Sequence, residues 1–193
     1  ARHRETLSRF FHENIYPVVS PMDIDPEGEF PVLANLGLHL SVRMSSGESE
    51  HPFRFAIVPL GRVLSRFITL PRDKGYSYAL LEDVVSEFMD QYYPGKRIEE
   101  CVAFRVTRNA DVSVREDSAA DLMHGMEEVL DWRRSADFVR LEISSHASEI
   151  TIDFLKKHLE LVDRDVFRIP GPLDLSSICL LYTSDAADDL TRV

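Results

Sequence analysis

The stretch between residues 36 and 57 restricts the fold more than any other part of the sequence. Five apolar residues alternate with other residue types and would share one face of a strand: Leu36, Leu38, Leu40, Val42 and Met44. A polar turn follows, Ser45-Ser-Gly-Glu-Ser-Glu50. A second alternating run comes next: Phe53, Phe55 and Ile57. Two such runs joined by a short turn predict a β-hairpin.

The same period predicts two further strands, one over Val102, Phe104 and Val106 and one over Val139, Leu141 and Ile143. A partner strand is expected at Val112 and Val114, and a last strand over residues 163–169.

Helical spacing is found in four places, where apolar residues recur every three or four positions. The first run is Leu7, Phe10, Phe11 and Ile15, and the second is Leu81, Val84, Val85, Phe88 and Tyr92, stopped by Pro94-Gly95. The third lies in residues 119–134 behind a capping box of Ser118 and Asp121, and the fourth is Ile152, Leu155 and Leu159 behind a cap at Ser148. A short helical turn is also predicted for residues 60–66. Hairpins mixed with amphipathic helices predict an α+β fold: a single domain with a largely antiparallel sheet.

Composition narrows the class of partners. Apolar residues make up 44% and charged residues 28% of the 193 residues, as is ordinary for a globular domain. The formal net charge of −11 repels nucleic acid and anionic membranes at long range. No apolar run reaches the length of a membrane span. Of the two cysteines, Cys101 would be buried and without a disulfide partner, which favours a reducing compartment.

Motifs for catalysis are missing from the sequence. It contains neither a phosphate-binding Gly-x-x-x-x-Gly-Lys-Ser/Thr loop nor a Gly-x-Ser-x-Gly elbow. The seven histidines never occur four residues apart, the spacing of paired zinc ligands on a helix. Asp23-x-Asp25-x-Glu27-Gly28 resembles the start of a calcium loop, but Ala34 stands where the closing glutamate is needed, so we favour a solvated acidic loop. We therefore assign no catalytic residue and no metal ligand.

Arginines are the best candidates for contact with a polyanion, because the guanidinium fork matches phosphate oxygens. Arg105 should project from the face of its strand opposite Phe104, and Arg108 lies at the entry to a turn. The structural alternative is an exposed strand arginine together with an Arg108–Asp111 pair that holds the turn. Arg62 and Arg66 would form a second basic spot if their segment were helical, or else a solvated helical face.

Three strings, in this order along the chain, carry a resemblance to a known family. They are Ser20-Pro-Met-Asp-Ile-Asp-Pro-Glu-Gly-Glu-Phe-Pro-Val-Leu-Ala-Asn-Leu-Gly-Leu-His-Leu40, Phe104-Arg-Val-Thr-Arg-Asn-Ala-Asp111 and Gly171-Pro-Leu-Asp-Leu175. The first two resemble the middle, or head, domain of ATP-dependent polyphosphate kinase, and the third resembles the point where that family passes into its catalytic half. We assign residues 1–178 to this domain. Residues 179–193 begin with Cys179-Leu-Leu-Tyr-Thr-Ser-Asp-Ala-Ala-Asp188, which is similar to a translated sequencing adapter, and we expect them not to form a domain.

The resemblance implies a phosphotransferase that moves the terminal phosphate of ATP to polyphosphate, with magnesium, through a phosphohistidine in a C-terminal domain. It implies a non-catalytic head domain that helps a homodimer or higher homo-oligomer assemble and lines the ligand route, where Arg105 and Arg108 would meet polyphosphate or nucleotide. We expect a fragment that is inactive alone and holds no cofactor, from a cytoplasmic enzyme. Association of the complex with a membrane stays open. The alternative function is a stand-alone α+β protein-interaction module.

Overall fold

The predicted hairpin forms the centre of the main sheet. The computed structural model describes residues 2–25, 30–46, 52–61, 64–71, 75, 77–109 and 137–178. Its strands are β1 (Met22–Ile24), β2 (Leu38–Ser45), β3 (Phe53–Leu60), β4 (Phe67–Thr69), β5 (Tyr78–Leu80), β6 (Ile98–Arg108), β7 (Phe138–Ser144) and β8 (Val166–Ile169). Its α-helices are α1 (Arg2–Phe10), α2 (Leu81–Glu87) and α3 (Glu149–Leu159). A π-helical turn (Phe11–Ile15) follows α1, and 3₁₀ turns occupy Met89–Gln91 and Asp163–Asp165.

Six strands form one sheet in the order β1-β3-β2-β6-β7-β8, and β4 pairs with β5 in a separate ribbon. β2 and β3 are antiparallel with Leu38 opposite Leu60, which confirms the hairpin. All neighbours in the large sheet are antiparallel except β7 and β8, which run parallel and are joined through α3. The α+β prediction with a largely antiparallel sheet is therefore confirmed.

Both faces of the large sheet are covered. On face A, defined by Leu40, Val42 and Val58, the sheet packs against the π-helical turn and α2. On face B, defined by Phe104, Leu141 and their neighbours, it packs against α3. Successive side chains of a strand point to opposite faces, so a strand of this sheet needs apolar residues at both parities. Ala56, Ile57 and Val58 in β3 show this pattern, since all three are fully buried.

The strand prediction was wrong only at its first residue. β2 begins at Leu38, and Leu36 lies before it in a left-handed turn (φ 57°) with its side chain 47% exposed. The Leu36 N–H donates to the carbonyl oxygen of Val106. His39, between Leu38 and Leu40, points to the other side of the strand and is buried on face B, with its ring stacked on Phe104 at 5.4 Å between centroids. Burial lowers the pKa of His39.

Local sequence signals set the ends of the remaining elements. The Ser148 hydroxyl accepts from the Thr151 N–H and caps α3, and Ile152, Leu155 and Leu159 are buried, as predicted. The helix at Leu81 ends at Glu87, earlier than predicted, and a 3₁₀ turn carries the chain on towards Pro94 and Gly95 (φ 78°). Residues 64–66 are not helical. Several predictions fall outside the described residues. They concern the strand at Val112 and Val114, the helix in residues 119–134, Arg62, Asp111 and residues 179–193.

A partly buried carboxylate ties α3 to the sheet. Glu100 in β6 accepts from the Ser148 N–H (2.7 Å), the Ser148 hydroxyl (2.6 Å) and the Thr151 hydroxyl. It also lies 3.4 Å from Nε of Arg43, its neighbour across the sheet. Burial alone would raise the pKa of Glu100, but hydrogen bonds from Ser148 and Thr151 and the charge of Arg43 hold it below the ordinary value of 4.5.

We predict that Glu100→Gln destabilises the domain by about 1–3 kcal/mol at neutral pH, because its partners lose a charged acceptor. The stabilisation by Glu100 is complete above the unfolded-state pKa and is lost as the pH falls through the lower folded-state pKa. Urea unfolding should therefore show a shallower loss of unfolding free energy below about pH 5 in the variant than in the parent chain. Glu99→Gln, at an exposed neighbour in β6, is the control. Equal pH slopes for Glu100→Gln and the parent would contradict the prediction.

Candidate functional site: an arginine–carboxylate network

Arg105 projects from face A of β6, opposite the buried Phe104, as the alternation predicted. Its Nε and Nη2 atoms each lie 2.8 Å from Oε2 of Glu142, and its Nη1 lies 3.0 Å from Oδ1 of Asp174. The side chain is 20% exposed. The guanidinium is therefore held between two carboxylates and is not an open cation.

The pairing with Glu142 follows from the sheet register. Arg105 and Glu142 are directly opposite in β6 and β7, so their side chains emerge side by side on the same face. The other carboxylate oxygen of Glu142 accepts from Nε of Arg140 at 2.9 Å. The Arg140 guanidinium in turn lies over the ring of Phe167, 3.7 Å from its centre. One glutamate thus joins arginines from two strands.

Arg66 is a second functional candidate. The sequence predicted for it only a basic spot shared with Arg62 or a solvated helical face. It lies just before β4, not on a helix, and its side chain is 12% exposed. Its Nε lies 3.0 Å from Oε1 and 3.2 Å from Oε2 of Glu82, and Nη2 donates to Oε1 at 2.5 Å. Glu82 is in the first turn of α2, where a carboxylate interacts favourably with the helix N-terminus.

The other side of the Arg66 guanidinium holds the chain near Asp174. Nη2 donates to the Leu173 carbonyl at 2.5 Å, and Nη1 donates to the Asp174 carbonyl at 2.6 Å and to the Ser177 hydroxyl at 2.5 Å. Asp174 adopts a left-handed conformation (φ 51°), which is uncommon for a residue with a side chain. Two arginines from different parts of the chain therefore bind Asp174. Arg66 contacts the backbone carbonyl of Asp174, and Arg105 contacts its side-chain carboxylate.

We call this set of side chains the arginine–carboxylate network: Arg66, Arg105, Arg140, Glu82, Glu142 and Asp174. Three guanidinium groups face three carboxylates, so its formal charges cancel. Pairs with little exposure are screened less by salt than surface pairs, and leaving one member without a partner is costly. The ion pairs of the network hold the start of α2, the strands β6 and β7 and the backbone near Asp174 together. The network can bind a phosphate chain only if phosphate oxygens take the place of carboxylates.

The network brings together two of the three strings noted in the sequence, through the Arg105–Asp174 pair. The third string meets the same strand. Asn35 accepts the Arg108 N–H through Oδ1 at 2.9 Å, and His39 stacks on Phe104. All three strings therefore converge on β6.

Arg108 has different surroundings from Arg105. It is only 9% exposed, and its guanidinium lies over the ring of Phe138, 3.9 Å from its centre. Burial lowers the pKa of Arg108. The predicted partner Asp111 is outside the described residues, so the Arg108–Asp111 pair stays a prediction.

A cavity of about 330 Å³ lies beside the network, between α2, the sheet and the 171–173 backbone. Cys101, Asp83, Ser144 and His146 are among its lining residues. Burial raises the pKa of the Cys101 thiol to about 11, so the thiol stays protonated at neutral pH and is a poor nucleophile. Burial and the neighbouring Glu82 raise the pKa of Asp83. Two carboxyl groups in the lining make this cavity unfavourable for a phosphate.

Metal ligands do not come together in the part of the chain that the structure describes: no three His, Cys, Asp or Glu side chains there could hold an ion. Asp23, the first residue of the acidic string, accepts the Tyr93 hydroxyl at 2.6 Å. Among the described helices, none is long and apolar enough to cross a membrane.

The fold and the network define a mixed α+β domain whose paired charges hold its segments together. A family model described as the polyphosphate kinase middle domain matches residues 2–181, which extends just beyond the boundary assigned at Ile178. The chain belongs to the polyphosphate kinase middle-domain family. Its membership confirms the resemblance seen in the three strings.

Two relatives that cover nine-tenths or more of this chain are polyphosphate kinases. A polyphosphate kinase from Rhodopirellula baltica is 35% identical, over 90% of this chain and 28% of that protein. One from Bacillus cereus is 36% identical, over 93% of this chain and 26% of that protein. A crystal structure of polyphosphate kinase from Porphyromonas gingivalis has the same fold, with a TM-score of 0.73 at 22% identity, over 93% of this chain and 25% of that one. The chain thus spans about a quarter of these proteins, and nothing in the comparisons favours the interaction-module alternative.

We predict that Arg105 and Asp174 are energetically coupled. In a double-mutant cycle with Arg105→Ala and Asp174→Ala, the coupling free energy should be about 1–2 kcal/mol by urea unfolding, because both side chains are mostly buried. The exposed Arg4–Glu87 pair, with side chains 74% and 53% exposed, is the matched control and should give less than about 1 kcal/mol. A coupling for Arg105 and Asp174 no larger than the control would show that the pair does not hold the network.

Proposed function

We propose that this chain is the middle domain of a polyphosphate kinase that transfers the terminal phosphate of ATP to a growing polyphosphate chain. The observation that carries the proposal is the family match over residues 2–181, in a chain that spans about a quarter of its relatives. In this proposal the domain supplies structure and not reactive groups. The charge balance of the arginine–carboxylate network supports that division, because phosphoryl transfer needs concentrated positive charge around the moving group.

ATP and magnesium are bound by other parts of the enzyme in this proposal. The described residues do not fit a magnesium site of three protein ligands. The proposal includes a homodimeric or higher homo-oligomeric enzyme in the cytoplasm, in which this domain contributes to subunit assembly and to the wall of the ligand route. We do not include nucleic acid among the partners, because the net charge of −11 repels a polyanion at long range.

The first prediction from this proposal concerns activity. The isolated chain should neither hydrolyse ATP nor make polyphosphate. When residues 2–178 replace the matching segment of the Bacillus cereus relative, the chimeric enzyme should keep at least about a tenth of the parent's kcat, a loss of no more than about 1.4 kcal/mol. Polymer synthesis is measured from the labelled terminal phosphate of ATP.

The matched control is the same chimera with Phe104→Ala, a core change that should destabilise the domain by about 3–5 kcal/mol. Polymer made by the isolated chain would refute the non-catalytic role. A folded but inactive wild-type chimera would count against the assignment as a whole.

Arg105 and Arg108 are proposed as contacts for polyphosphate or nucleotide. For Arg105, phosphate oxygens would have to replace Glu142 or Asp174, since both carboxylates already accept from its guanidinium. Replacing both by amides, Glu142→Gln with Asp174→Asn, should therefore raise the affinity of the chimera for short-chain polyphosphate.

Arg105→Ala should lower the affinity of the chimera for short-chain polyphosphate by about tenfold, because one charge-assisted contact is lost. Filter binding measures the affinity of both this variant and the double amide variant. Arg97→Ala, which removes an exposed arginine in the loop before β6, controls for net charge. Unchanged affinity in both Arg105→Ala and the double amide variant would make Arg105 a structural residue only.

A further inference from the structure

Arg66 uses its whole guanidinium on two distant parts of the chain. Its nitrogens contact Glu82 at the start of α2 on one side, and the backbone of Leu173 and Asp174 with the Ser177 hydroxyl on the other. Its own carbonyl accepts the Leu81 N–H at 2.8 Å. Both its backbone and its side chain are therefore fixed to the first turn of α2, which makes Arg66 a rigid point of attachment.

The segment held by Arg66 would otherwise be weakly ordered. Residues 171–178 contain only one buried apolar side chain, Leu173, which is 3% exposed, whereas Leu175 is 61% exposed and Ile178 is 42% exposed. Asp174 adopts a left-handed conformation (φ 51°), which is costly for a residue with a side chain, whereas Gly171 (φ 124°) reaches its positive φ at little cost. The conformation of Asp174 persists only where surrounding contacts hold it.

The contacts on Asp174 decide the direction of this segment. Arg66 binds its carbonyl oxygen, and Arg105 binds its carboxylate from the sheet side. The Ser177 hydroxyl and N–H also point at the Asp174 carbonyl, and the Ile178 N–H donates to the Leu175 carbonyl at 3.1 Å. A single helical turn is thus built directly on the arginine contact.

We propose that Arg66 is a positioning residue for the catalytic part of the enzyme, because it sets the direction in which the chain leaves the middle domain after Asp174. This inference rests on the proposed function, in which the enzyme continues beyond this domain. A small error in the placement of reacting groups lowers the rate of chemistry much more than it lowers binding. Arg66 would therefore act on kcat without touching ATP or polyphosphate.

The first arm of the test uses the 193-residue chain and needs no activity. Native-state hydrogen exchange should show the Ser177 and Ile178 amides exchanging about tenfold or more faster in Arg66→Ala, because hydrogen bonds to a charged group stabilise by more than a factor of ten. Arg66→Lys keeps the charge but cannot reach Glu82 and two carbonyls at once, so it should resemble Arg66→Ala more than the parent. Arg97→Ala, at an exposed arginine paired with Glu99, should leave both amides unchanged.

The second arm uses the chimeric enzyme described above. Arg66→Ala should lower kcat by about 10- to 100-fold while KM for ATP changes less than about threefold, as expected for misplacement of groups and not for lost binding. Thermal melting of the same samples shows whether the domain is folded. Should Arg66→Ala unfold, Ser177→Ala removes one partner of the guanidinium from the surface and carries the same test.

The two arms separate the possible outcomes. Unchanged exchange at Ser177 and Ile178 would overturn the inference directly. An active wild-type chimera with an equally active, folded Arg66→Ala variant would also overturn it and leave the proposed function intact. A wild-type chimera without activity would instead count against the proposed function.

Discussion

The alternation of side chains along β6 places the charged groups on which the rest of the structure depends. Val102, Phe104 and Val106 fill face B, so Arg105 must emerge on face A, beneath the segment that contains Asp174. A guanidinium with little exposure needs partners, because the cost of removing it from water is otherwise large. Glu142 is supplied by the neighbouring strand and Asp174 by the far end of the chain. The two-residue period of a strand thus determines where a distant segment is attached.

Charge balance separates this domain from the chemistry proposed for the whole enzyme. An acidic chain with a net charge of −11 attracts polyphosphate only where arginines stand apart from carboxylates. In the network, each described arginine already faces a carboxylate, and the cavity beside it is lined by Glu82 and Asp83. These observations agree with a domain that orders the polypeptide.

Sequence patterns predicted the hairpin of β2 and β3, the strands around Phe104 and Leu141, and α3 with its cap at Ser148. These elements depend on local period and capping, which a single segment contains. The same reasoning misplaced Leu36, which lies in a turn before β2. Arg66 was assigned to a short helix, but it lies before β4 and contacts residues more than 100 positions away. No local period reports such a contact, because it depends on how separate elements pack.

The sequence by itself determined the class of the fold, the positions of most strands and helices, and membership of the polyphosphate kinase family through three short strings. It did so because side-chain period, capping residues and turn residues act over a few positions. Only the tertiary structure decided which charges meet: Arg105 with Glu142 and Asp174, and Arg66 with Glu82 and the backbone after Leu173. The physical reason is that ion pairs require atoms within about 4 Å, and such closeness between distant residues arises only when both faces of the sheet are packed.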